Sequence, residues 1–264
     1  MLAGLSALVT GGGSGMGRAI AHRLAREGAR VWVTDVDEGA ARAVAGEIEA
    51  AGHEATSRRL DVTSRADLET VAAEVYANGG RLDLLIVNAG VSTMNRFLDL
   101  SDEEWEFNFA VNARGAFLTM QTFARRMVQQ EPMPGRDLRG KIVAIASMAA
   151  RRAAPLLTHY SASKFALVGL AQAAAKELAP YRLTVNVVNP GYVRTPMQER
   201  EILWESALRG ITAEDVIREY VQDTPLGRLQ TPEDVAGVVS FLCGPDADFL
   251  TGEAIEANGG AWMS

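Results

Sequence analysis

Apolar runs alternate with longer amphipathic segments along the whole chain. The segments that predict strands are residues 7–9, 31–33, 57–60, 84–87, 141–146, 184–188 and 253–256. The segments with helical spacing are residues 17–27, 38–51, 64–78, 103–129, 160–178 and 232–242. Strands that are mostly continuous apolar runs, each followed by a helix, are typical of a parallel sheet covered on both faces. The pattern therefore predicts a doubly wound α/β fold with about seven parallel strands.

Two stretches interrupt this alternation. Residues 131–140 contain Pro132, Pro134 and Gly135, which are typical of a surface loop. Residues 191–227 follow a predicted strand end and contain a helical piece at residues 196–209, so we interpret them as a lid over a substrate. A decorative insertion is the alternative. We interpret neither stretch as a linker between domains, and residues 1–264 are predicted to form one domain.

Composition and charge exclude several classes of protein. Hydrophobic residues make up 48% of the chain and charged residues 22%, which excludes a disordered chain, a collagen-like fibre and a coiled coil. The net charge of -7 disfavours binding to nucleic acid or to an anionic membrane. No apolar stretch has the length of a membrane span. We therefore expect neither a nucleic-acid partner nor a membrane partner.

Residues that bind metals are scarce. The chain has one cysteine, Cys243, within an apolar run, and its histidines are His22, His53 and His159. A lone cysteine forms no internal disulfide, and dispersed histidines match no metal motif. The sequence therefore predicts no metal site, a buried thiol and a reducing, cytoplasmic location.

A glycine cluster follows the first predicted strand and opens the first helix. Its members are Gly11, Ser14, Gly15, Met16 and Gly17. Glycines let the backbone approach a pyrophosphate, and a helix N-terminus offers free N–H groups and the positive end of a dipole. A purely structural tight turn is the alternative. The strand–turn–helix context favours a dinucleotide-binding loop.

Asp35 ends the second predicted strand, eighteen positions after Gly17. A carboxylate at this place accepts hydrogen bonds from the hydroxyls of an adenosine ribose and repels a 2′-phosphate. Ser14, where NADP would favour a basic residue, leaves that phosphate without a partner in the loop. The sequence therefore predicts NAD rather than NADP, with a solvated loop carboxylate as the alternative for Asp35.

Tyr160 and Lys164 are four residues apart, so on a helix they share one face. We expect the ammonium of Lys164, together with a positive nicotinamide ring, to lower the pKa of the Tyr160 phenol. The phenolate would then take a proton from a substrate hydroxyl, and the phenol would return one to a carbonyl. Ser147 would hydrogen-bond the substrate oxygen. A surface pair and a helix-capping serine are the alternative interpretation.

These motifs, in their order along the chain, resemble those of the short-chain dehydrogenase/reductase family. The similar motifs are Gly11-x-x-x-Gly15-x-Gly17, Leu60-Asp61-Val62-Thr63, Asn88-Ala89-Gly90, Asn112, Ser147, Tyr160-x-x-x-Lys164 and Asn189-Pro190-Gly191-Tyr192-Val193-Arg194-Thr195. They cover essentially the whole chain, and the ordered set is highly specific. One departure is Val87, where many members carry an asparagine; it weakens one structural contact of the motif and leaves the chemistry untouched.

The resemblance implies a Rossmann-type fold and a catalytic tetrad of Asn112, Ser147, Tyr160 and Lys164. Asn112 would hold a water that links Lys164 to solvent. The implied cofactor contacts, beyond the glycine cluster and Asp35, are Asp61, Val62, Asn88, Ala89, Gly90, Tyr160, Lys164, Pro190, Gly191, Val193 and Thr195. In the family, the helices that correspond to residues 103–129 and 160–178 pair with a second subunit, which implies a homotetramer.

The resemblance also implies an NAD-dependent enzyme that moves hydride between the nicotinamide and a small-molecule secondary alcohol or ketone. The pattern, including residues 258–264, looks most like sorbitol and other polyol dehydrogenases. The alternatives are a 3-oxoacyl carrier-protein reductase, a diacetyl/butanediol reductase and, outside catalysis, an NAD-binding regulatory or scaffold protein. A scaffold would be expected to lose a tetrad member, and none is lost here.

The predicted substrate pocket is formed by Ser147, Ala149, Tyr160 and Tyr192, with the lid as far as about residue 209. The lid is ambiguous. Its polar members, which suit a polyol because each buried hydroxyl needs a partner, are Gln198, Glu199, Arg200, Glu201 and Glu205, with Arg152 near by. Its apolar members, which suit an apolar pocket, are Met197, Ile202, Leu203 and Trp204. The polar set also fits the solvated face of a short helix.

Overall fold

Seven parallel strands form one sheet in the computed structural model, which describes residues 2–77 and 80–263. The strands are β1 (Ser6–Thr10), β2 (Arg30–Asp35), β3 (Ala55–Arg59), β4 (Leu84–Val87), β5 (Gly140–Ile145), β6 (Leu183–Pro190) and β7 (Ala254–Ala257). Their order across the sheet is β3-β2-β1-β4-β5-β6-β7. The order reverses between β1 and β4, which places a crevice at the carboxyl ends of these two strands. The predicted doubly wound Rossmann-type fold is confirmed.

Helices cover both faces of the sheet. They are α1 (Gly15–Arg26), α2 (Glu38–Ala50), α3 (Arg65–Val75), α4 (Asp102–Phe109), α5 (Ala116–Met127), α6 (Thr158–Leu178), α7 (Pro196–Arg209), α8 (Ala213–Asp223) and α9 (Pro232–Cys243). One buried core lies under α1, α2 and α9, and the other under α3, α5 and α6. Cys243 is fully buried in the first core, as its apolar run predicts.

Most predicted boundaries lie within two or three residues of the observed ones. β4 and the helical piece at residues 196–209 match to the residue. β3 has the sequence Ala-Thr-Ser-Arg-Arg and is only partly buried, which suits its place at the edge of the sheet. α3 ends at Val75, and Asn78, the predicted end of that helix, lies outside the described residues.

The single long helix predicted over residues 103–129 is wrong in one respect. A π-helical turn, Ala110–Gly115, separates α4 from α5. The wider turn admits one extra residue and breaks the regular spacing of side chains. It leaves Asn112 buried, where its side chain hydrogen-bonds the backbone of Val91 on both N–H and C=O. An apolar pattern carries no signal for such a turn.

Residues 191–227 fold into two helices, α7 and α8, packed on each other. Ile202, Val216, Tyr220 and Leu229 form a small apolar cluster of their own between them. Thr195 caps α7 by accepting the Gln198 N–H at 3.2 Å. The segment is therefore an ordered layer beside the sheet. The sequence did not predict the bounds of α8.

Two properties of the described chain bear on its partners. Within residues 2–77 and 80–263, no helix is both long and apolar enough to span a bilayer. Within the same residues, no three or more His, Cys, Asp or Glu side chains come together as a metal site would require.

Candidate active site

The glycine turn between β1 and α1 passes against the end of β4. Gly11 has a φ of +64°, and a Cβ at this residue would lie 2.9 Å from Ala89 Cα. A Cβ at Gly17 would lie 2.0 Å from the carbonyl oxygen of Gly11. Side chains at these two positions are therefore excluded by backbone packing, and the turn leaves the N-terminus of α1 open to the crevice.

Asn88 connects this turn to the end of β4 by hydrogen bonds. Its Nδ2 donates to the carbonyl oxygens of Thr10 at 2.9 Å and Gly11 at 3.0 Å. The Thr10 hydroxyl in return accepts the N–H groups of Asn88 at 3.0 Å and Ala89 at 3.1 Å. The Asn88-Ala89-Gly90 motif thus holds the shape of the crevice as well as lining it.

Asp35 lies at the mouth of the crevice and is engaged by the backbone. Its Oδ2 accepts the Gly13 N–H at 3.0 Å, and its Oδ1 accepts the Asp37 N–H at 3.1 Å. These two hydrogen bonds fix the position of the carboxylate, and its contact with the ribose stays a prediction. The neighbouring residue on β3, Arg59, pairs instead with Asp67 at 2.8 Å.

A cleft of about 570 Å³ runs along this edge of the sheet. The residues predicted for the cofactor that line it are Gly11, Ser14, Gly15, Met16, Gly17, Asp35, Asp61, Val62, Asn88, Ala89, Gly90, Tyr160, Lys164 and Thr195. Glycines with no room for a Cβ, a helix N-terminus and a carboxylate at the mouth fit a dinucleotide. Val36, Phe107 and Arg200 also line the cleft and were not predicted as cofactor contacts; Arg200 was predicted as a polar member of the lid.

Tyr160 and Lys164 lie one turn apart on α6, beside the end of β5. Lys164 Nζ is 5.7 Å from the centroid of the Tyr160 ring and donates to the carbonyl oxygen of Ile145 at 3.0 Å. Ser147 follows β5, and its hydroxyl accepts the Ala149 N–H at 3.1 Å. The strand end and the helix therefore bring Ser147, Tyr160 and Lys164 to one place.

Burial controls the ionisation of this pair. It raises the pKa of the Tyr160 phenol well above 10; the charge of Glu201 adds to the rise, and the nearby Ser147 hydroxyl opposes it. Burial also lowers the pKa of Lys164 from 10.5 to about 8, against an attraction from Glu201. Burial is the largest influence on the pKa of the phenol in the protein chain without cofactor. The lowering expected from Lys164 together with a bound nicotinamide ring stays a prediction.

Asn112 stands behind the pair and lines neither cavity. It is 1% exposed; its Oδ1 accepts the Val91 N–H at 2.9 Å, and its Nδ2 donates to Val91 O at 2.9 Å and Ser163 Oγ at 3.0 Å. A Cβ at Gly90 would lie 3.2 Å from both Asn112 Oδ1 and Lys164 Nζ. Asn112 thus ties the loop after β4 to α6 directly beside the lysine.

A second cavity, of about 800 Å³, meets the cleft at Tyr160. The residues predicted for the substrate, Ser147, Ala149, Tyr160 and Tyr192, all line it. Three residues predicted for the cofactor, Pro190, Gly191 and Val193, line this cavity and not the cleft. They lie where the two cavities approach each other, near Met16 and Thr195, which border both.

Helix α7 turns a polar face towards this second cavity. Gln198, Glu201 and Glu205, which are three and four residues apart, line it. Glu199 and Arg200 are exposed, and Ile202 packs towards α8. Of the apolar members of the lid, Met197 lines the cavity, whereas Leu203 is 63% exposed. Each of the two proposed sets therefore has some members at the cavity and others away from it.

Aromatic rings and ion pairs also line this cavity. Tyr192 stacks on Tyr220 with ring centroids 4.0 Å apart, and its hydroxyl donates to Asp223 at 3.1 Å. Arg152 also binds Asp223, at 3.1 Å, and reaches the carbonyl oxygen of Ala261 at 3.2 Å. The C-terminal segment thus contacts the lining of this cavity within the same chain.

Similarity to known proteins decides the family. The family described as "Enoyl-(Acyl carrier protein) reductase" matches residues 11–261 of the chain. The chain belongs to the short-chain dehydrogenase/reductase family. The resemblance drawn from the motifs is therefore confirmed.

Relatives in this family differ in their named activities. The L-2,3-butanediol dehydrogenase of Corynebacterium glutamicum is 37% identical over 96% of this chain and 97% of its own. The sorbitol dehydrogenase of Cereibacter sphaeroides is 35% identical over 100% of this chain and 99% of its own. A solved structure from Beutenbergia cavernae that holds NADP at low occupancy superposes with a TM-score of 0.86, at 35% identity over 98% of this chain and 97% of that one.

Membership fixes the general chemistry of the protein. It is an oxidoreductase that acts on alcohols and ketones and uses NAD or NADP. The non-enzymatic alternative is thereby removed.

Proposed function

We propose that the protein interconverts a polyol, or another small alcohol rich in hydroxyl groups, and the matching ketone with NAD as cofactor. The observation that carries this proposal is the polar face of α7. Gln198, Glu201 and Glu205 line the cavity that also contains Ser147 and Tyr160. Each hydroxyl buried without a partner costs on the order of 1–3 kcal/mol, so a cavity with several polar groups selects a substrate with several hydroxyls.

The preference for NAD rests on Asp35. Its carboxylate stands at the mouth of the cleft and is held there by the N–H groups of Gly13 and Asp37. It would accept hydrogen bonds from ribose hydroxyls, and its charge opposes a 2′-phosphate. Arg59, the nearest residue across the sheet, is already paired with Asp67.

The bound nicotinamide would supply or accept the hydride. Tyr160 would hold the transferred proton on its phenol oxygen and pass it to or from the substrate oxygen. Ser147 would hydrogen-bond the same oxygen and keep it near the phenol. Lys164 would bind the nicotinamide ribose, and Asn112 would position Lys164 by holding the loop at Val91.

The catalytic and binding roles of these residues remain predictions, as do the single catalytic domain, the homotetramer and the cytoplasmic location. Two other activities from the sequence analysis compete with a polyol dehydrogenase. A diacetyl/butanediol reductase would prefer four-carbon diketones, and a 3-oxoacyl carrier-protein reductase would act on a thioester with NADPH. Both activities differ from a polyol dehydrogenase in their substrate, so the assay described next distinguishes them from it.

The experiment measures initial rates with NAD on sorbitol, galactitol and xylitol, and on 2-hexanol and 2-pentanol as apolar counterparts of equal carbon number. We expect kcat/KM for the polyols to exceed that for the apolar alcohols by at least roughly 100-fold, because apolar substrates leave polar groups of the cavity unpaired. Diacetyl and a 3-oxoacyl thioester are tested in the reverse direction. Equal or faster turnover of the apolar alcohols, or a thioester as the best substrate, would refute the polyol assignment.

A further inference from the structure

The carboxylates around the second cavity are not equivalent. Glu205 and Glu219 both pair with Arg209, at 2.6 and 2.7 Å, and Asp223 pairs with Arg152 at 3.1 Å. Glu205 also accepts a hydrogen bond from the Tyr220 hydroxyl. Among the described residues, Glu201 is the carboxylate of this cavity that has no arginine, lysine or histidine within 4.0 Å.

Glu201 nonetheless interacts with other residues of the site. Its Oε2 accepts a neutral hydrogen bond of 3.2 Å from Gln198 Nε2. Its charge reaches both Tyr160 and Lys164, since it acts on the pKa of each. The buried Ser92 hydroxyl faces it without forming a well-oriented hydrogen bond. Burial raises the pKa of Glu201, whereas the Ser92 hydroxyl and the positive charges of Arg200 and Lys164 lower it and favour the ionised form.

A half-buried carboxylate that is paired with no arginine, lysine or histidine has capacity to accept further donors. A substrate hydroxyl would supply a donor and leave the local charge unchanged. A substrate carboxylate would place a second negative charge near the first, in a site of reduced dielectric. The same group therefore attracts one class of substrate and repels another.

We propose that Glu201 is a specificity-determining residue that accepts a hydrogen bond from a hydroxyl next to the reacting carbinol and excludes anionic hydroxy acids. The preferred substrate is then a neutral vicinal diol within the polyol class. This inference rests on the proposed function, because it assigns a part of the same substrate site. Glu205, Glu219 and Asp223 form salt bridges with arginines and would contribute less to substrate selectivity.

Three four-carbon secondary alcohols that share one methyl carbinol test it: 2,3-butanediol, 2-butanol and 3-hydroxybutyrate. With NAD and the unmodified enzyme, we expect the highest kcat/KM for the diol and the lowest for the hydroxy acid. Glu201→Gln keeps an acceptor and removes the charge, so kcat/KM for the hydroxy acid should rise roughly 10-fold or more while the diol changes little. Glu201→Leu removes the acceptor, so the preference for the diol over 2-butanol should fall roughly 10-fold or more.

Glu199→Gln is the matched control, because this exposed residue lies on the same helix and loses the same charge. It should leave kcat/KM for each of the three alcohols unchanged. Binding of NADH, followed by its fluorescence, shows that each variant retains its fold. Two ratios of kcat/KM decide the role of Glu201: hydroxy acid over diol, and diol over 2-butanol. If both ratios in the Glu201 variants stay within about two-fold of those of the unmodified enzyme, the role of Glu201 is refuted, whereas the proposed dehydrogenase activity is not. If the unmodified enzyme oxidises no alcohol with NAD, neither here nor among the larger polyols, the proposed function itself fails.

Discussion

Replacement of Lys164 by methionine should change how the stability of the fold depends on pH. Lys164 is 4% exposed, and its Nζ donates to the Ile145 carbonyl oxygen at 3.0 Å. Among the described residues no carboxylate lies within 4.0 Å of it, and the attraction of Glu201 only partly offsets burial. Its pKa falls from 10.5 to about 8 in the folded protein. Lys164→Met removes the buried ammonium and keeps a long unbranched side chain.

The sign and size of the effect follow from linkage. The unfolded chain holds the lysine proton up to about pH 10.5 and the folded protein only up to about 8. Between these values the unfolded state binds more protons, so the stability of the unmodified protein rises with pH. The fall in pKa corresponds to about 3 kcal/mol, which is fully present as destabilisation below pH 8 and disappears above pH 10.5.

The assay is urea unfolding of the cofactor-free protein at pH 7, 8 and 9. The free energy of unfolding of Lys164→Met minus that of the unmodified protein should decrease by about 1 kcal/mol between pH 7 and pH 9. Other titrating groups contribute alike to both proteins and cancel in this difference. Lys176→Met, a substitution of an exposed lysine on the same helix, serves as control and should give a constant difference. A constant difference for Lys164→Met as well would refute the reasoning.

Two further predictions concern chemistry and cofactor choice. Tyr160→Phe should lower kcat by roughly two to four orders of magnitude because the proton carrier is lost, while NADH binding, measured by fluorescence titration, stays nearly unchanged; turnover near that of the unmodified enzyme would contradict the role. Asp35→Asn combined with Val36→Arg should shift the ratio of kcat/KM for NADP over NAD upward by roughly 10- to 100-fold, because Val36 is 60% exposed at the cleft and an arginine there would face a 2′-phosphate. The single variant Asp35→Asn, which keeps an oxygen for the Gly13 N–H, separates the two effects. An unmodified enzyme with the higher kcat/KM on NADP would refute the argument from Asp35.

The sequence predicted elements best where local signals were strong. β4 is a run of four apolar residues, and α7 is preceded by a capping threonine, opened by Pro196 and closed by Gly210. These residues favour one boundary each. The π-helical turn had no such signal, because residues 110–115 fit an ordinary helix by composition. It is favoured by tertiary contacts, chiefly those of Asn112 with the backbone of Val91.

The site shows the same division between local and tertiary information. The spacing of Tyr160 and Lys164 was sufficient to predict that they lie together on one helix face. The pKa of the phenol was not predictable in this way, because it depends on how deeply the ring is buried and on Glu201 from α7. Glu201 is 41 positions away from Tyr160 in the chain and still affects its ionisation, and sequence spacing contains no information about that approach.

The charge of the substrate cavity depends on pairings between elements that are distant in sequence. The sequence does not distinguish the carboxylates of α7 and α8 from one another, and only the fold determines which of them pairs with an arginine. Arg209, at the end of α7, reaches both Glu205 one turn back and Glu219 on α8, and Arg152 reaches Asp223 from the loop after β5. Glu201 lies one turn before Glu205, too far along the helix to share Arg209 within 4.0 Å. Glu219 and Asp223 of α8 pair with Arg209 and Arg152, so among the described residues Glu201 is the carboxylate of this cavity that has no arginine within 4.0 Å.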